Sequence, residues 1–181
     1  GSGKSLSMLF FSGILSRHPE LENPSIVIQV DRNDLDEQLF DTFVQGKSLI
    51  GHVHHAEGTD NLRTLLKGES GQVIFSTIEK FRKKEGEAKH PVLSERRNIV
   101  VIADEAHRTQ SGFEGGYAAQ LRYALPKASH IGFTGTPVSL LGNDTEEIFG
   151  HIIHRYDMAQ AVADKATLPI YYESRPIPLD L

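Results

Sequence analysis

The fold of this chain is decided by residues 99–108, which read Ile99-Val100-Val101-Ile102-Ala103-Asp104-Glu105-Ala106-His107-Arg108. The apolar half is rich in β-branched residues, which is typical of a buried strand in a parallel sheet. Asp104 and Glu105 follow where that strand ends, and open α/β sheets hold their ligands at the carboxyl ends of the strands. The stretch therefore predicts a site in which Asp104 binds Mg²⁺ and Glu105 polarises a water molecule. A helix start rich in acids, which would only stabilise the helix dipole, is the alternative.

The chain opens with Gly1-Ser2-Gly3-Lys4-Ser5, which matches the second half of a P-loop. The glycines allow backbone N–H groups to approach a phosphate, and the helix that follows presents its N-terminus to the same anion. In this interpretation Lys4 reaches the β- and γ-phosphates of ATP, and the Ser5 hydroxyl ligates Mg²⁺. Gly-Ser is also a common cloning scar, but the apolar helix directly after Ser5 favours the P-loop. Because the strand that should precede the loop is absent, we expect an N-terminally truncated domain.

Composition limits the remaining possibilities. The chain has 181 residues, 19 basic and 24 acidic, with a net charge of −5 and no cysteine. Disulfides and thiolate metal sites are therefore excluded. No apolar run approaches the roughly 20 residues that cross a bilayer, and no signal peptide is visible, so we expect a cytoplasmic protein without a membrane partner. The excess of acidic over basic residues argues mildly against nucleic-acid binding. However, residues 79–97 hold seven basic and four acidic side chains, which fits a solvated loop as well as a phosphate-facing surface.

Strand and helix patterns alternate along the chain, which predicts βαβ units and an α/β fold with a mostly parallel sheet flanked by helices. Strands are predicted at 25–30, 50–54, 72–76, 98–103 and 130–133, the fourth being the central one. Helices are predicted at 6–15, 33–44, 61–67 and 117–125. The pattern loosens afterwards, so we expect one domain over residues 1–156, then a helix and a linker over 157–181.

Several polar residues follow other predicted strands. Thr134 and Thr136 lie in a turn after the last strand, which by itself is an ordinary turn. Arg32 and Gln38 follow the first strand, and Thr77 and Lys80 follow the third. Contact with a nucleic-acid backbone and simple capping of the next element explain these four equally well. His52, His54 and His55 lack carboxylate or cysteine partners at ligand spacing, so we interpret them as a strand edge rather than a metal site.

Taken together, three motifs resemble the first motor domain of superfamily 2 helicases and translocases: Gly1-Ser2-Gly3-Lys4-Ser5, Asp104-Glu105-Ala106-His107 and Gly132-Phe133-Thr134-Gly135-Thr136-Pro137. Four longer stretches are similar to the restriction (R) subunit of type I restriction–modification enzymes: residues 30–38, 103–110, 121–126 leading into 131–133, and 161–175. This resemblance covers essentially the whole chain. The helicase motifs are generic, whereas the four longer stretches are specific.

The resemblance implies a RecA-like P-loop NTPase domain that couples ATP hydrolysis to translocation along double-stranded DNA. By motif position, Gly1, Ser2, Gly3, Lys4 and Ser5 bind the nucleotide, Ser5 and Asp104 bind Mg²⁺, and Lys4 and Glu105 are catalytic. His107, Thr134 and Thr136 would couple hydrolysis to movement, and the DNA contacts would be Arg32, Gln38, Thr77 and Lys80. The implied partners are double-stranded DNA, the methyltransferase and specificity subunits, and a second motor domain of the same polypeptide.

Cleavage would come from a separate nuclease domain, since no nuclease signature is evident here. The second motor domain would supply an arginine finger, so we expect this fragment alone to hydrolyse ATP poorly or not at all. Two alternatives stay open: a generic RNA or DNA helicase domain, which the motifs allow, and a nucleotide-binding module without hydrolysis, which the acidic charge allows.

Overall fold

A computed structural model describes residues 3–30, 33–81, 91–104, 117–135 and 149–169, with the backbone alone at 33–37 and 117–119. Its helices are α1 (Lys4–Arg17), α2 (Asn33–Gln45), α3 (Lys47–Ile50), α4 (Thr59–Lys67), α5 (Tyr117–Ala124) and α6 (Met158–Ala163). Its strands are β1 (Ser25–Val30), β2 (Val53–His55), β3 (Val73–Thr77), β4 (Ile99–Asp104) and β5 (Ser129–Phe133). Short 3₁₀ turns occur at Pro19–Leu21 and Ile78–Phe81.

The strands form one sheet in the order β2-β3-β1-β4-β5, and every described pair is parallel. Strands β1 and β3 are buried along their whole length, and β4 is buried up to Asp104, as expected for strands covered on both faces. From β1 the chain crosses towards β2, and from β4 it crosses towards β5. The direction of winding therefore reverses between β1 and β4, and ligands of such sheets bind in the crevice at that reversal.

Helices cover both faces of the sheet because successive side chains of each strand point to opposite sides. On one face, Ile28 and Phe75 pack against Met8 of α1 and Phe43 of α2. On the other face, Val27, Ile74 and Val101 pack with residues of α4 and α5. Ile102 belongs to the first cluster, so Asp104, two residues later on β4, points towards the layer that contains α1.

The structure confirms the predicted fold class, with two corrections in detail. Ile50 ends helix α3 rather than starting a strand, and β2 is only the three residues Val53–His55. The central strand of the sheet is β1, whereas the carboxylate-bearing strand β4 lies beside it. The chain divides into two compact units, residues 1–150 and 151–181. No helix within the described ranges is both long enough and apolar enough to span a membrane.

Candidate nucleotide site

The first turn of α1 forms one side of the candidate site. Gly3 precedes the helix with φ 72°, the left-handed conformation that glycine adopts at little cost. Its carbonyl accepts hydrogen bonds from the Ser7 backbone N–H at 3.0 Å and from the Ser7 hydroxyl at 3.2 Å. Gly3 has no side chain to cap the helix, and the first turn contains no acidic residue. The N–H groups and the dipole of this helix end therefore favour an anion.

Lys4 and Asp104 meet at this edge of the sheet. The Lys4 Nζ atom lies 3.0 Å from Asp104 Oδ1, and the two side chains are 22% and 21% exposed. Lys4 is the first residue of α1 and Asp104 is the last residue of β4. The two motifs predicted to share a nucleotide are thus in direct contact at the crevice beside β1.

Two further candidates lie at the same edge. Ser5 is the second residue of α1 and is half-buried. Thr134 is half-buried and follows Phe133, whose backbone is in register with Asp104. The rings of Phe11 and Phe133 are 6.2 Å apart, so α1 packs directly on the end of β5. Gly1, Ser2, Glu105, His107 and Thr136 lie outside the described residues.

The donor set fits a magnesium ion. Mg²⁺ prefers carboxylate and hydroxyl oxygens, and the Asp104 carboxylate already has an ammonium group, a cation, at 3.0 Å. Ser5, adjacent to Lys4 in the same helical turn, carries the hydroxyl that would join the coordination. The described residues contain no group of three or more histidine, cysteine, aspartate or glutamate side chains arranged as a metal centre. The rings of His52 and His54 lie with their centroids 6.4 Å apart, and His54 belongs to the edge strand β2.

Two of the candidate DNA contacts, Thr77 and Lys80, lie on β3 and in the turn after it, across β1 from Asp104. Gln38 is exposed on α2, and Lys80 is half-buried in the 3₁₀ turn after β3. Thr77, the last residue of β3, is only 5% exposed. Arg32 lies outside the described residues. The structure therefore brings Lys4 and Asp104 together, whereas strand β1 lies between Thr77 and Asp104.

Part of the basic segment 79–97 has a structural role that the sequence did not indicate. The Arg96 guanidinium donates to the Ser25 hydroxyl at 3.0 Å and to the Leu66 carbonyl at 3.4 Å, and burial lowers its pKa. Arg96 thereby ties the start of β1 to the end of α4. Lys127 makes an ion pair with Glu95 at 2.9 Å. Arg96 is thus held by contacts near the amino end of β1, whereas the Glu95–Lys127 pair lies at the surface.

The sequence motifs also did not single out Gln29, a polar residue in the middle of the sheet. It is fully buried on β1, beside Ser76 and Ala103 on the neighbouring strands. The Ser76 hydroxyl donates to the Thr77 carbonyl at 3.0 Å, whereas Gln29 Oε1 has no hydrogen-bond partner within the part of the chain that is described. In the sequence, Gln29 can be recognised as the one polar residue within residues 26–30 of this strand.

A cavity of about 330 Å³ lies between the end of α5 and the start of β5 and is lined by Arg122, Tyr123, Leu125, Pro126 and His130. His130 pairs with Val101, three residues before the Asp104–Phe133 pair, so the cavity is towards the amino end of the sheet. Burial lowers the pKa of His130 to about 4; the nearby Arg122 cation adds to this effect, and a hydrogen bond to the Leu125 backbone opposes it. The cavity is therefore separate from the candidate nucleotide site.

Comparison with known proteins agrees with the family resemblance that the sequence motifs indicated. The family model for the SWI2/SNF2 ATPase matches residues 1–181. The chain is 53% identical, over 96% of its length, to the type I restriction enzyme HindI endonuclease subunit of Haemophilus influenzae. It is 39% identical, over 100% of its length, to the putative type I restriction enzyme MjaIXP endonuclease subunit of Methanocaldococcus jannaschii.

The chain spans 17% of the length of each of these two relatives. A Staphylococcus aureus subunit, SauCOLORF180P, is 34% identical over 91% of the chain. The similarity to endonuclease subunits of type I restriction enzymes expected from the motifs is thereby confirmed. With a family model matched from the first residue to the last, this chain belongs to the SWI2/SNF2 ATPase family.

Proposed function

We propose that this chain is the ATP-binding motor domain of a type I restriction enzyme R subunit, which couples ATP hydrolysis to translocation along double-stranded DNA. The contact between Lys4 and Asp104 at 3.0 Å carries the proposal, because it joins the two halves of a nucleotide site across the winding reversal of the sheet. Cleavage would follow in a separate nuclease domain, and the methyltransferase and specificity subunits would provide the site of attachment.

Each residue has a chemical role in this proposal. Lys4 binds the β- and γ-phosphates, while Gly1, Ser2 and Gly3 cradle them with backbone N–H groups. Ser5 and Asp104 hold Mg²⁺, which neutralises charge that develops on the phosphates. Glu105 orients the attacking water and accepts its proton. A second motor domain would contribute the remaining positive charge.

Movement along DNA requires that a change in the bound nucleotide alters the contacts with DNA. Thr134 supports this role for the turn after β5, because it follows directly on Phe133, the backbone partner of Asp104. We assign the coupling role to His107, Thr134 and Thr136. We assign contact with the DNA backbone to Arg32, Gln38, Thr77 and Lys80, among which Thr77 has little exposed surface of its own.

The test is ATP turnover by the longer subunit with its methyltransferase and specificity partners. Rates are compared without nucleic acid and with RNA, single-stranded DNA and unmethylated duplex DNA. We expect stimulation by duplex DNA alone, and only when the partners are present. Stimulation by RNA or single strands without partners would identify a helicase instead, and ATP binding without turnover in any mixture would identify a non-hydrolysing module.

The variant Glu105→Gln tests the role of a single residue in the same turnover assay. Because the amide cannot accept the proton from water, we expect turnover to fall by at least about 10²-fold while ATP still binds. Glu57→Gln, an identical change at an exposed position before α4, is the matched control and should retain wild-type turnover. Retained turnover in Glu105→Gln would remove Glu105 from the role of base.

A further inference from the structure

The outer face of helix α1 is apolar. Leu6, Phe10 and Ile14 follow one another at intervals of four residues, so they lie on one side of the helix. These residues are 52%, 56% and 63% exposed. The inner side of α1 is apolar as well, because Met8 and Leu9 are buried in the core. A helix that is apolar on both sides is typically covered on both sides.

The same helix lacks charge. From Ser5 to Ser16 the sequence contains no acidic, basic or histidine residue, and the cations Lys4 and Arg17 lie at the two ends of α1. An outer face without basic residues has nothing to neutralise the phosphates on which nucleic-acid binding depends. Its chemistry instead matches the core of a protein–protein contact, where charged residues are depleted.

The size of the outer face of α1 distinguishes a free partner from a tethered one. A large side chain buries roughly 150–250 Å² when it is fully covered, so three half-exposed side chains offer on the order of 300 Å². A stable complex of separate molecules buries about 800 Å² on each partner, so a second copy of this chain would be held weakly by this face alone. A partner on the same polypeptide needs less area, because the tether raises its effective concentration.

We propose that the outer face of α1, formed by Leu6, Phe10 and Ile14, is the docking surface for an uncharged, apolar surface of another domain of the same polypeptide. The inference rests on the proposed function, in which the chain is one domain of a longer R subunit. Length supports it, since the chain spans 17% of each of the two endonuclease subunits from Haemophilus and Methanocaldococcus. Docking there would fix the neighbouring domain to the helix that begins with Lys4.

The test uses thiol labelling, for which the chain is suited because it contains no cysteine. Ile14→Cys is introduced into residues 1–181 and into the longer subunit, and mass spectrometry of the peptide that contains it measures its rate of alkylation by iodoacetamide. We expect the rate in the longer subunit to be at least about 10-fold lower, because a docked domain excludes the reagent. Equal rates in the two proteins would overturn the proposal. Phe10→Cys replaces Ile14→Cys if circular dichroism shows that the latter does not fold.

The control for labelling is Lys67→Cys, at an exposed position at the end of α4 in the opposite helical layer. Its rates in the two proteins should agree within about twofold, as expected for a site that stays open. A fall at position 67 equal to that at position 14 would mean general slowing and would contradict specific docking. Protection that appears in residues 1–181 at high protein concentration would identify a second copy as the partner, and protection that requires duplex DNA would identify DNA. Either result would also overturn the proposal.

A charged substitution tests the apolar character of the contact. In the longer subunit that carries Ile14→Cys, adding Phe10→Lys should raise the alkylation rate by about 10-fold, because docking would bury an unpaired ammonium group. The urea midpoint of residues 1–181 should stay unchanged, since Phe10 is exposed there. Thr64→Lys, at an exposed position on α4, is the matched charge control and should leave the protection of position 14 intact. Protection that survives Phe10→Lys would rule out an apolar contact.

ATP turnover separates this inference from the proposed function. A longer subunit with Ile14→Cys that retains duplex-stimulated turnover but shows no protection would contradict only the docking surface. A wild-type subunit without turnover in any mixture, whose Ile14→Cys variant is nevertheless protected, would contradict the motor function and support the docking surface.

Discussion

At the scale of single residues, His130 predicts how stability depends on pH. Its pKa is lowered from 6.5 to about 4 by burial beside Arg122, so the unfolded chain binds a proton more readily than the folded one. Stability should therefore be constant above about pH 6.5 and fall as the pH decreases towards 4, by on the order of 3 kcal/mol from this residue. Urea unfolding at several pH values measures this change in the free energy of unfolding.

The variant His130→Gln should flatten that part of the pH dependence, because glutamine does not titrate. His52→Gln, at an exposed position just before β2 at the opposite edge of the sheet, is the control and should leave the dependence of stability on pH unchanged. If His130→Gln kept the wild-type slope between pH 6.5 and 4, another group would be responsible for the acid sensitivity.

At the scale of elements, strand β3 shows how the two helical layers are held. Phe75 is fully buried and meets the rings of Phe40 and Phe43 edge-on, with centroids 5.2 and 5.0 Å apart. Ile74, the preceding residue, faces the other layer. Helix α2 therefore depends on Phe75, whereas helix α4 packs in the cluster that contains Ile74.

We predict that Phe75→Leu lowers the free energy of unfolding by about 1–3 kcal/mol and speeds amide hydrogen exchange mainly in α2, because both aromatic contacts are lost. Ile74→Val, the matched change on the opposite face, should cost about 1 kcal/mol and act mainly on α4. Faster exchange in α4 rather than α2 after Phe75→Leu would show that the layers are not independently held.

At the scale of the whole molecule, the net charge of −5 limits how DNA can be bound. Arg32 and Lys80 are the only cations among the four proposed DNA contacts. Neutralising two phosphates predicts that log K for duplex DNA falls with log salt concentration with a slope of about −2. Fluorescence anisotropy with residues 1–181 measures this slope. A slope steeper than about −5 would mean that further basic residues of segment 79–97 also contact the phosphates.

Local features determined much of this protein from the sequence by itself. The alternation of apolar runs and amphipathic stretches predicted the parallel α/β fold, because side-chain periodicity is a local property. Strand β1 was placed at its observed bounds, Ser25–Val30. The Gly-Lys-Ser and Asp-Glu motifs pointed to nucleotide chemistry before any contact was known, since each motif carries its chemical groups within a few residues. The SWI2/SNF2 family match agrees with that chemistry.

Contacts between distant parts of the chain were decided only by the tertiary structure. Strand order places β1 in the centre and β4 beside it, and nothing in the local pattern distinguishes those positions. The same packing brings Lys4 to 3.0 Å from Asp104, and it places Arg96 against Ser25 and Leu66. Such pairings depend on how helices pack across the sheet, because charge and distance between remote residues are set by the assembled core and not by their neighbours in sequence.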